Sequence, residues 1–120
     1  MPASFDADAL LREYGDTALV LDLARLLVDT LPAQLNAVQS ALDTSDGPAL
    51  KAAAHKLKGS IATFGAARAV ELARGLELCG VSGDIASGRA SGPELQDEVR
   101  ALCASAQAWL ASQTGDVAPS

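Results

Sequence analysis

LKAAAHKLKGSIATF, residues 50–64, is the stretch whose periodicity decides the fold. Leu50, Ala54, Leu57, Ile61 and Phe64 recur at spacings of three and four, the mark of a helix with one buried face. Rotating by about 100° per residue from His55 puts Leu50, Ala53, Leu57, Ile61 and Phe64 between about 160° and 240°, on the far side of the helix. Lys51, Lys58, Gly59 and Ala62 fall within about 60° of the imidazole. His55, the one histidine of the chain, therefore points away from the core, with Lys58 at i+3 and Gly59 at i+4 beside it.

The same period extends outward in both directions. On the N-terminal side, Leu19, Val20, Leu23, Leu27, Leu31, Leu35, Val38 and Leu42 trace a long helix capped by Asp16, in which Pro32 is expected to kink or locally break the run. A short segment, Asp6–Tyr14, precedes it, with Phe5, Leu10 and Leu11 as apolar contacts and Gly15 as its end. The turn cluster DTSDGPAL separates the long helix from the histidine helix, with Pro48 in a favourable first-turn position. On the C-terminal side a helix reads from Ala66 to Leu78 with Ala69, Leu72, Ala73 and Leu76 inward. CGVSGDIASGRASGP, residues 79–93, is Gly- and Ser-rich and reads as a loop holding at most a short helical turn. Pro93 then opens a last helix carrying Leu95, Val99, Leu102, Ala106, Trp109 and Leu110.

No segment alternates with period two, and Ala and Leu dominate the apolar residues. The expected fold is all-α: an antiparallel four-helix bundle with a short extra N-terminal helix. At 120 residues the chain makes one domain over residues 1–112, and 113–120 read as a disordered tail.

Composition narrows the function classes. A net charge of −6 argues against nucleic acid or an anionic membrane as partner. No apolar run approaches the roughly 20 residues of a spanning helix, and the N-terminus lacks the basic and apolar regions of a secretory signal. Cys79 and Cys103 form no disulfide framework, so a cytoplasmic protein with reduced thiols is expected. There is no Gly-rich phosphate loop, no catalytic triad and no ligand set for a resident metal.

A surface histidine without a role is the plain alternative, and three details argue against it. All three lysines, Lys51, Lys56 and Lys58, lie within four residues of His55. No Asp or Glu occurs from Gly47 to Val70 in an otherwise acidic chain. Gly59 costs about 1 kcal/mol against Ala in a helix interior, in a sequence that uses Ala freely. The pattern suits an exposed nucleophilic imidazole, a cation to receive a negative group, and a bare surface for a docking partner.

AAHKLKGSIATFGAARAVELARGLE, residues 53–77, resembles the histidine-containing phosphotransfer (HPt) domain, through His-x-x-Lys-Gly-Ser, the following Gly-Ala and the later Leu-Glu. The resemblance covers nearly the whole chain, including FDADALLREYGDTALVLDLARLLVDTLPAQL, which is similar to the family's first two helices. It implies that His55 accepts a phosphoryl group from a receiver aspartate and passes it to another. Lys58 would offset charge on the phosphoryl oxygens, and Gly59 would leave room for the receiver. Glu77 falls where the family places a polar residue that orients the other imidazole nitrogen. Lys51, Lys56, Ala62 and Arg68 would belong to the partner-facing surface together with Gly59, as would Arg74. Ser60 and Gly65 match the motif as structural positions. The chain departs from the pattern at Ile61, where a smaller residue is usual, and at Lys56, an added charge that could tune partner choice.

The resemblance further implies a phosphorelay intermediate without a kinase domain, acting as a monomer between the receiver of a hybrid histidine kinase and that of a response regulator. No cofactor is expected on the chain, any Mg²⁺ being bound by the receiver. The alternatives are a helical adaptor that binds a receiver or kinase without transfer, and the detached acceptor module of a chemotaxis-type kinase. An enzyme using His55 as general base is a third, disfavoured by a convex helix face that offers a small substrate no pocket.

Overall fold

The computed structural model describes residues 4–114, which fold into five helices with no strand among them. These are α1 (Ala7–Tyr14), α2 (Thr17–Asp43), α3 (Gly47–Ala62), α4 (Ala67–Ser82) and α5 (Ile85–Thr114). Aspartates start four of them. Asp6, Asp16, Asp46 and Asp84 accept hydrogen bonds from the backbone N–H groups of Ala9, Ala18, Ala49 and Ser87 at 2.9–3.2 Å. Each satisfies a donor that the first helical turn leaves orphaned. Only α4 starts on an alanine, Ala66, with no side-chain cap. Gly15, Gly65 and Gly83 take the left-handed conformation that ends or follows a helix.

The four long helices form a ring in which α2 packs on α3, α3 on α4, α4 on α5 and α5 back on α2, with α1 laid against α2. The short connections make ring neighbours antiparallel. Val20, Leu27, Leu31 and Leu42 of α2 meet Leu50, Leu57 and Ile61 of α3, Leu76 of α4 and Leu95 and Leu102 of α5 in one buried core. Phe5 joins α1 to this core: its ring lies 6.0 Å from Phe64 and 5.3 Å from Trp109, and its N–H donates to Ser105 Oγ.

The fold is the expected all-α bundle, but the structure corrects four local readings. Residues 79–93 are not a loop: α4 continues to Ser82, only Gly83 and Asp84 intervene, and α5 starts at Ile85. Two of the glycines that suggested a loop, Gly88 and Gly92, are buried helical contacts. A Cβ on Gly88 would stand 3.0 Å from Leu42 Cδ2 and 3.2 Å from Leu76 Cδ2, and one on Gly92 3.1 Å from Leu42 Cδ1. Pro93 does not open a helix but lies inside α5, and Pro32 lies inside α2, which runs through it without a break. Both prolines are exposed, so the carbonyls their missing N–H groups leave unpaired can turn to water. Leu19, read as a core position, is exposed. The C-terminal helix extends through Thr114, which takes in the first residues of the stretch read as a tail; the rest of that stretch, 115–120, lies outside the described residues.

Candidate functional site

Helix α3 buries Leu50, Ala54, Leu57 and Ile61, and this fixes the opposite face, with His55 at its centre, toward solvent. The His55 side chain is 68% exposed. Across the α3–α4 contact, Glu77 Oε2 lies 2.9 Å from His55 Nδ1. Lys58, one turn further along α3, donates from Nζ to Glu77 Oε1 at 2.6 Å. One carboxylate thus holds both groups, and it is itself largely covered, at 17% exposure.

The electrostatics follow from that bridge. The hydrogen bond from Lys58 is the main influence lowering the Glu77 pKa from the usual 4.5; partial burial opposes it, and the bond with His55 adds to it. Glu77 is therefore ionised at neutral pH and can only accept. A neutral His55 must then carry its proton on Nδ1, which leaves the Nε2 lone pair facing outward. A partner on a different helix thereby fixes which ring nitrogen carries the proton and leaves the other free to accept a bond.

The surroundings are open. Pro48, Lys51 and Ala52 line a shallow hollow with His55 and Glu77. A Cβ built on Gly59 would meet nothing within 4 Å, so no packing within this chain requires a glycine there. Lys51, Lys56 and Arg74 are exposed and make no ion pair among the described residues.

The structure brings His55, Lys58 and Glu77 together, with Gly59 and Lys51 flanking them. Ala62 shares the exposed face two turns on, about 10 Å along α3. Arg68 is elsewhere. It sits about 13 Å along α4 from Glu77, where Nε and Nη2 donate to Glu94 at 2.8 Å each and Nη1 donates to Glu71 at 2.9 Å. Its guanidinium ties α4 to α5 instead of standing free for a partner. Sequence reasoning placed Lys58 beside the imidazole but missed its bond to Glu77, and it missed Gly47 and Gly80, where the α3 and α4 backbones touch. Gly80 stands three residues after Glu77, the one signal in the sequence that marks it as a neighbour of the site.

Among the described residues no group of three or more His, Cys, Asp or Glu could hold a metal ion, and no helix is long and apolar enough to cross a membrane. The bundle thus offers one exposed imidazole, held by a carboxylate from the neighbouring helix, on an open face. The chain belongs to the Hpt domain family, whose model matches residues 22–109. Histidine phosphotransfer within phosphorelays is the activity of that family, and its members interact with receiver domains. Among curated proteins and among solved structures, nothing matches the chain.

Proposed function

We propose that His55 is the phospho-acceptor of a phosphorelay, taking a phosphoryl group from the receiver aspartate of a hybrid histidine kinase and delivering it to that of a response regulator. The observation that carries this reading is the bond between His55 Nδ1 and Glu77, made from a helix that has no carboxylate of its own. In the forward step the Nε2 lone pair forms a bond to phosphorus. The bond from phosphorus to the aspartyl oxygen breaks, and the electron pair leaves with the aspartate. The ring becomes cationic as Nε2 is substituted, and the Glu77 carboxylate on Nδ1–H offsets that charge. Reversal onto a second aspartate returns the neutral imidazole.

Gly59 gives the receiver clearance to close over the ring. Lys58 holds Glu77 in place, and in this reading its ammonium also offsets charge on the phosphoryl oxygens. Lys51 and Lys56 supply an exposed positive margin for an acidic receiver site. The divalent cation needed at the aspartate belongs to the receiver in this scheme, and the chain acts as a monomer.

The test is transfer from a phosphorylated receiver. The wild-type chain should acquire acid-labile, base-stable label, and His55→Gln should acquire none. Label that persists in His55→Gln overturns the assignment. Binding to receivers without label in the wild-type chain would instead establish the adaptor.

A further inference from the structure

We infer that Gly80 is a positioning residue: its close contact with Gly47 and Lys51 sets the α3–α4 separation that keeps Glu77 within hydrogen-bond reach of His55. The inference rests on the phosphotransfer role of His55 for its consequence, but not for its geometry. A Cβ on Gly80 would stand 2.5 Å from Lys51 N, 2.7 Å from Gly47 O and 2.9 Å from Lys51 Cα; a Cβ on Gly47 would stand 2.9 Å from Gly80 O. Every one of these atoms is backbone, so none can rotate aside. Neither glycine has the positive φ that would itself call for glycine. Alanine would favour the helix by about 1 kcal/mol, so close approach is what the glycine at this position provides.

The contact lies one turn from the site on both helices. Gly80 is at i+3 from Glu77, and Lys51 is at i−4 from His55, so each pair shares a helix face. Relieving a 2.5 Å approach to ordinary van der Waals distance requires the two backbones to part by about 1 Å. The same displacement one turn away carries the 2.9 Å bond between His55 and Glu77 past hydrogen-bonding distance. Gly75, on the same helix, is the contrast: a Cβ there would meet nothing within 4 Å.

The experiment uses His55 as its own reporter, since it is the only imidazole in the chain. Nitrogen-15 NMR of the neutral ring in wild-type protein should show the proton on Nδ1. Gly80→Ala should give a mixture of tautomers like that of Glu77→Ala, with transfer from a phosphorylated receiver slowed at least about tenfold. Gly75→Ala should match the wild type in both. A folded Gly80→Ala with the wild-type ring spectrum overturns the inference. If Gly80→Ala does not fold, Gly47→Ala decides by the same spectrum: mixed tautomers support the inference, and an unchanged ring overturns it. Failure of wild-type transfer with every receiver would sink the phosphorelay reading alone, because the ring spectrum is read without any partner.

Discussion

Glu77 is the residue on which the site turns, because a single carboxylate holds His55 and Lys58 at once. Its lowered pKa has a consequence with a definite sign. A carboxyl group depressed in the folded state stabilises the fold above its ordinary value, and that contribution is lost as pH falls through the folded value, here below the usual 4.5. Carbon-13 NMR of the Glu77 carboxyl should show titration below 4.5 in the wild type and a return toward it in Lys58→Ala, since the lysine bond is the leading cause. Glu77→Gln keeps an acceptor for Nδ1–H but loses the charge that offsets the cationic ring, so it should transfer phosphoryl more slowly than wild type and faster than Glu77→Ala. Equal rates in the two variants would remove the hydrogen bond from the account. The outward position of His55 was legible from the periodicity of α3 alone, since apolar residues occupy the opposite face. The partner of Lys58 was not, because periodicity orders residues within one helix and says nothing of what a second helix places across from them.

At the level of elements, α1 to α3 could be read because each boundary carries chemistry: an aspartate at the start, a glycine or a turn cluster at the end. The start of α5 could not, because glycine has two uses and composition does not separate them. Gly83 takes the left-handed conformation and ends a helix, whereas Gly88 and Gly92 thin the helix surface so that α5 can lie close on Leu42 and Leu76. Substitution distinguishes the two kinds of helical glycine. Gly75→Ala should raise stability by about 0.5–1 kcal/mol, as alanine gains helix propensity in open space. Gly88→Ala gains the same propensity, but its methyl meets two buried leucine ends, and overpacking of about 1–3 kcal/mol should leave a net loss near 1 kcal/mol. Urea denaturation with an unchanged m-value checks both.

For the whole molecule, the aromatic cluster and the face that carries His55 are separated along α3. The Phe5, Phe64 and Trp109 rings gather just past the C-terminal end of α3, whose last residue, Ala62, lies seven residues and about 10 Å of helix from His55. Phe5→Ala should therefore lower stability by about 3 kcal/mol, a large part of what a domain of this size possesses, while phosphotransfer well below the new Tm stays at the wild-type rate. Thermal melts followed by the fluorescence of Trp109, the single tryptophan, alongside transfer assays test that separation. The bond between His55 and Glu77, by contrast, closes a gap of 22 residues between two helices. An unfolded or half-folded chain still displays an imidazole, but one without its carboxylate, so nothing holds the proton on Nδ1. The geometry that the proposed transfer requires is thus assembled in the same cooperative event as the bundle, so transfer would itself report whether the molecule has finished folding.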